Sequence, residues 1–286
     1  MRQPPPHHKR WSLPSGNVIR RALRSDPRVE YYLYVPTSRT ANAPLLVAVH
    51  GISRNAPQQA KLLAPHAERY ATVLLAPHFD EERFGAYQRL GREQPGARAD
   101  VVLDEMFQEI AWLAGAETAQ IYLFGFSGGA QFAHRYAMAH PERVAHAVLV
   151  SAGWYTFPDP AVRFPYGLRP SRKHALITFD PEAFLRVPIT VLVAQEDDSN
   201  SSLRRTARCD AQQGVTRRER AHNWVNAMRA AAEAHNIEPV VNIEEFSGGN
   251  HSFKAFIQDE RHASRLFDLL FGRREAAPAS VPEGIR

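Results

Sequence analysis

Five residues, Gly125-Phe126-Ser127-Gly128-Gly129, constrain this chain more than any other stretch. They follow a short apolar run, Ile121-Tyr122-Leu123-Phe124, that reads as a buried strand. They precede Ala130 to Ala137, which reads as a helix. A chain that passes from strand to helix across one residue holds that residue at strained backbone angles, and glycines on either side let the two elements pass without side-chain clash. Such a turn lifts the Ser127 hydroxyl above the sheet and aims the following N–H, that of Gly128, at the same point.

The flanking pattern repeats the same alternation. Val29 to Pro36 is aromatic and β-branched and reads as a strand. Leu45 to His50 is a continuous apolar run of strand length, as for a central strand covered on both faces. A helix over Gln58–Tyr70 and a strand over Thr72–Pro77 follow, then a long polar loop from His78 to Arg98. Ala99 to Ala114 places Val102, Met106, Ile110 and Leu113 at helical spacing. Further strands are read at Ala147–Ser151, Ile189–Ala194 and Val240–Ile243, with helices at Thr216–His235 and His262–Phe271. This order predicts an α/β fold: a doubly wound, mostly parallel sheet with helices on both faces and right-handed crossovers. Ligands then bind beyond the carboxyl ends of the strands. Residues 28–272 form one domain in this reading. Residues 1–27 read as a flexible arm or early edge structure, and 273–286 as a loose tail. The stretch 153–187 is rich in proline and aromatics without clear periodicity, which marks a lid-like insertion or pocket wall.

Composition removes several classes. No apolar run reaches the roughly 18 residues that span a bilayer, so no membrane partner is expected. The basic N-terminus lacks a following apolar region, so a cytoplasmic chain without a secretory signal is expected. One cysteine, Cys209, allows no internal disulfide, and no cysteine-hydrolase motif surrounds it. The net charge of +5 comes from 35 basic residues spread along the chain and interleaved with 30 acidic ones. That distribution describes a solvated surface rather than a nucleic-acid partner, and leaves room for an acidic or phosphorylated substrate. His-Glu-x-x-His, Cys-x-x-Cys, Gly-x-x-x-x-Gly-Lys and Gly-x-Gly-x-x-Gly are all missing, so neither a metal nor a cofactor is implied.

A serine hydroxyl is a poor nucleophile at its free pKa and needs a neighbouring base. His251 lies on a Gly-Gly loop, Ser247 to Ser252, after the last strand and before the last helix. An acid that orients the imidazole belongs between serine and histidine in chain order. Glu196-Asp197-Asp198 directly follows the run ending at Ala194 and supplies the candidates. An oxyanion hole requires two backbone donors. Gly128 is one, and Ile52, in His50-Gly51-Ile52-Ser53, is the other. His50 reads as a loop anchor rather than a proton carrier. Trp154 and Tyr155, just past a strand end, either line the substrate pocket or pack in the core, and Phe126 packs in the core.

With these residues in view, the chain from about Val29 to Phe271 resembles the α/β-hydrolase superfamily. Tyr32-Leu33-Tyr34-Val35-Pro36, Val49-His50-Gly51 and Gly125 to Gly129 are similar to the group that includes polyhydroxybutyrate depolymerase-like and feruloyl esterase-like proteins. The resemblance implies a Ser-His-Asp hydrolase acting on a small-molecule ester. Its roles fall on Ser127, His251 and Asp197, the last because a hydrolase turn here often reads Gly-x-x-Asp with Ala194 in place of the glycine. Asp198 is the alternative acid and Glu196 a weaker one. The same residues would serve an acyltransferase or peptidase, and the fold also exists as a non-catalytic binding protein.

Overall fold

The computed structural model describes residues 13–38, 40–91, 98–174, 177–196, 203–248 and 251–272. The chain enters the sheet at an edge through β1 (Val18–Ala22) and β2 (Glu30–Tyr34). It continues through β3 (Ala43–Val49), α1 (Ala56–Arg69), β4 (Val73–His78) and the short α2 (Glu81–Phe84). Next come α3 (Ala99–Ala114), β5 (Ala116–Phe126), α4 (Gly128–Ala139) and β6 (Val144–Val150). After an irregular excursion the chain forms α5 (Pro181–Phe184), β7 (Ile189–Ala194), α6 (Ala207–Gln213) and α7 (Arg217–Ala234). It closes with β8 (Val241–Phe246), α8 (Phe253–Gln258) and α9 (Glu260–Phe271). The eight strands lie in the order β1-β2-β4-β3-β5-β6-β7-β8, with β2 antiparallel to both its neighbours and the rest parallel.

The strand pleat sends alternate residues to opposite faces, and here both faces are covered. Leu45, Val47 and Val49 of β3 join one core with Leu123, Leu149 and Val191, while Leu46 and Ala48 join another with Phe124, Val148 and Leu192. The first core takes Met106 and Ile110 from α3, Phe132 and Tyr136 from α4, and Trp224 and Met228 from α7. The second takes Leu63 and Ala67 from α1 and Leu266, Phe267 and Leu270 from α9. Double coverage is why the central strands read as unbroken apolar runs.

Several boundaries differ from the sequence reading, each for a physical reason. The first 27 residues are not all a flexible arm. Val18–Ala22 pairs with β2, and its alternating exposure belongs to an edge strand, which carries little apolar signal; residues 1–12 and the tail 273–286 lie outside the described residues. β5 starts at Ala116, five residues before the apolar run, because residues 117–120 are solvent-facing. β8 extends to Phe246 through Glu244 and Glu245, which pair on this other edge with Arg265 and Arg218. The described residues of the excursion 153–187 are anchored to the body. Tyr155 stacks on Trp224 of α7 with centroids 4.9 Å apart, and Phe164 and Leu168 are buried.

Candidate active site

Ser127 stands at the carboxyl end of β5 with φ 53° and ψ −111°, angles that a residue with a side chain adopts only under constraint. Its own N–H donates to Val150 O at 2.8 Å, which ties the turn to β6. Both flanking glycines are forced by backbone proximity. A Cβ on Gly125 would sit 2.3 Å from Gly129 O, and one on Gly129 would sit 1.9 Å from Val49 O. The carbonyl of a central strand cannot step aside. Gly129→Ala is therefore expected to destabilise the fold by about 3 kcal/mol or more, and a urea melt that leaves the midpoint unmoved would contradict this account of the turn.

His251, which follows the edge strand β8 in sequence, reaches the same point. Ser127 Oγ and His251 Nε2 are 2.9 Å apart, across 124 residues of sequence. The histidine has φ 47° and its ring lies against Phe126, centroids 5.3 Å apart. Immediately after it, the Ser252 hydroxyl accepts the Ala255 N–H and starts α8, so the loop is fixed at its downstream end. Phe126 is buried against Phe253 and Phe256 of the same helix, and it also lines both cavities that border His251.

The loop after β3 closes over the start of α4. A Cβ on Gly51 would lie 3.7 Å from Ser127 Cβ, and one on Gly128 would lie 3.0 Å from the Ile52 side chain. Gly128 is the first residue of α4, where N–H groups lack helical partners and the helix dipole favours negative charge. Two groups hold this loop. Tyr87 O–H donates to His50 O at 2.9 Å. His50 Nδ1–H donates to Gly51 O, and its Nε2 accepts the Phe79 N–H at 3.0 Å. Both ring nitrogens are engaged, so His50 is the neutral anchor that its sequence position implied. Tyr87 could not have been singled out from sequence, since it sits in a long polar stretch. A cavity of about 300 Å³ opens over Ser127 and His251, bounded by Gly51, Ile52, Gln59, Phe253 and Lys254.

The alpha/beta hydrolase fold family matches residues 44–235, more than half of the chain. The chain belongs to this family. Among solved structures, the chain is similar to LpqC, a poly(3-hydroxybutyrate) depolymerase from Bordetella parapertussis, at 25% identity and a TM-score of 0.73, covering 91% of each chain. It is also similar to poly(aspartic acid) hydrolase-1 from Sphingomonas sp. KT-1, at 25% identity and a TM-score of 0.71, covering 82% of this chain and 92% of that one. Feruloyl esterase B of Talaromyces funiculosus is 25% identical over 118 residues, which is 40% of this chain and 33% of that enzyme. The chain thus spans about a third of the length of that relative.

The structure corrects the pocket residues. Tyr155 is fully buried, and its backbone N–H and carbonyl are both held by the Gln213 amide at 2.8 and 2.9 Å. Burial pushes its phenol pKa up, and it lines neither of the two cavities that border His251. Trp154 lines neither as well, because it is packed between Arg135 and Tyr166. Both aromatics follow a strand end, but packing turns them into the body. Asp197 and Asp198 lie outside the described residues, and Glu196 is exposed past the end of β7.

Burial lowers the pKa of His50 to about 4 and that of His134 well below the ordinary histidine value. A depressed histidine pKa means that the unfolded chain takes up protons first as pH falls. The folded protein is therefore expected to lose stability between about pH 6.5 and 4, with His50 alone worth about 3 kcal/mol across that window. Denaturant melts at several pH values check this, and a flat profile over the window would contradict the neutral, buried His50.

Proposed function

We propose that this hydrolase cleaves carboxylic esters through an acyl-enzyme intermediate on Ser127. The observation that carries the reading is the 2.9 Å contact between Ser127 Oγ and His251 Nε2 at the carboxyl ends of the strands. The names of two relatives, a poly(3-hydroxybutyrate) depolymerase and a feruloyl esterase, support an ester as the substrate.

In this mechanism Ser127 Oγ attacks the carbonyl carbon while its proton passes to His251 Nε2. The carbonyl oxygen becomes an oxyanion, and the Gly128 and Ile52 amides donate to it beside the N-terminus of α4. The intermediate collapses, the bond to the leaving oxygen breaks, and His251 returns its proton to the departing alcohol. Water then attacks the acyl carbon in the same way, releasing the acid and restoring the Ser127 hydroxyl. Asp197 is the acid proposed to hold the imidazole, with Asp198 as its alternative.

The test is covalent labelling with a fluorophosphonate. Wild type is expected to label at Ser127, whereas Ser127→Ala stays unlabelled. Equal labelling of the two proteins would end the assignment.

A further inference from the structure

A second cluster of chemistry sits about 12 Å along α4 from the nucleophile, since Arg135 follows Ser127 by eight residues at 1.5 Å each. Arg135 is fully buried. Its Nε donates to the Thr156 hydroxyl, and its Nη1 donates to the carbonyls of Gln88 and Gln131. Nη2 has no hydrogen-bond partner, and no carboxylate among the described residues pairs with this guanidinium. Burying an arginine without a counter-anion is costly. Burial and the nearby Arg89 and Arg204 all disfavour its charge.

More cations gather above it. Arg135 lies 4.1 Å from the Trp154 ring centre, and Arg204 lies 5.7 Å from the same ring. Arg204 Nε donates to the Tyr166 hydroxyl at 2.9 Å, and Arg208 lies over the Tyr166 ring at 4.9 Å. Arg204 and Arg208 are exposed, and neither forms an ion pair among the described residues. The nearby Asp210 is engaged by Arg205 and Arg220.

The geometry is held from behind. Arg220 is fully buried and donates to the carbonyls of Gly153, Arg204 and Gly214 as well as to Asp210. One side chain therefore pins the Arg204 backbone against the segment that carries Trp154. Gln88 connects Arg135 to the turn that carries the nucleophile. The Gln88 carbonyl accepts from Arg135, while the Gln88 amide lies 2.8 Å from where a Gly128 Cβ would stand.

We propose that Arg204 and Arg208, set on Trp154 and Tyr166 above the unpaired Arg135, bind a carboxylate that the substrate carries away from its scissile ester. The hydrolase then prefers acidic esters, such as half-esters of dicarboxylic acids. The proposal rests on the ester reading of Ser127 and adds a substrate class to it. Two exposed guanidiniums offer planar forks that match a carboxylate, and the buried Arg135 adds positive potential in a medium of low dielectric. Trp154 is in this view the platform that aligns the cations, not a wall of the acyl pocket.

The experiment compares the 4-nitrophenyl half-esters of sebacic and dodecanedioic acid, whose extended chains can bridge the roughly 12 Å to the cluster, with the same compounds capped as methyl esters. Wild type is expected to show kcat/KM about tenfold higher for the free acids, through KM, with the preference shrinking as salt is added. In Arg204→Gln/Arg208→Gln the ratio of free to capped falls toward one. A wild type indifferent to the cap, or a variant that keeps the preference, overturns the carboxylate site. Free adipate, followed by tryptophan fluorescence, supplies a readout independent of turnover. Saturable binding by wild type that the double variant lacks supports the site, and its absence from wild type overturns it. Adipate binding with no hydrolysis of any ester overturns the ester reading alone.

Discussion

Ser127→Ala is expected to lower kcat for ester hydrolysis by about 10⁶-fold while leaving the fold intact. The substitution removes only Oγ, whose one partner among the described contacts is His251 Nε2. The φ of 53° is unchanged in demand, and the Ser127 N–H still reaches Val150 O. Unfolding free energies are therefore expected to agree within about 1 kcal/mol. His251→Ala should cost about as much in kcat, and the double variant no more than either single one, because nucleophile and base act as a unit. Activity titrations on an ester, paired with urea melts, separate loss of chemistry from loss of fold. Additive losses in the double variant would mean that the two residues act in separate steps, and the 2.9 Å contact would lose its catalytic meaning.

What was legible from sequence follows from what each residue has to do. The central strands were visible because they are covered on both faces, so β7 coincides with its apolar run from Ile189 to Ala194. The Ser127 turn was visible because Gly125 and Gly129 have no alternative residue that fits. Its meeting with His251 was anticipated from chain order and a glycine loop. Edge elements were harder to read. β1 alternates partly covered and exposed residues, and α8 is a single short helix whose apolar residues, Phe253, Phe256 and Ile257, are too few to show a period. Trp154 and Tyr155 were invisible in a different sense: sequence placed them correctly past β6 but carried no information on which way they turn. The answer depends on Trp224, Gln213 and Arg135, all distant in the chain. The Arg135 cluster was equally hidden, because in a chain with arginines everywhere only burial and a missing partner distinguish one of them.

Asp197→Asn is expected to lower kcat by about 10⁴-fold, whereas Asp198→Asn stays within a few-fold of wild type. β7 and β8 run parallel with Ala194 opposite Phe246, and the Gln195 N–H donates to Phe246 O at 3.0 Å. Gln195 and Phe246, which precede the acids and His251 in sequence, therefore lie side by side where the two strands end. The imidazole needs an acceptor for its Nδ1–H, because its Nε2 faces Ser127. A carboxylate in that role keeps the proton on Nδ1 and stabilises the imidazolium formed in each step, while an amide offers its own N–H and favours the wrong tautomer. Isosteric Asn leaves packing unchanged, so a large loss isolates this electrostatic function. Glu196, exposed at the strand end, would be stabilised by water rather than by the imidazole, and Glu196→Gln should match wild type. Measured kcat for the three amide variants decides among them. A 10⁴-fold loss in Asp198→Asn instead would move the role by one residue, and near-wild-type rates in all three would leave the imidazole without a carboxylate from this loop.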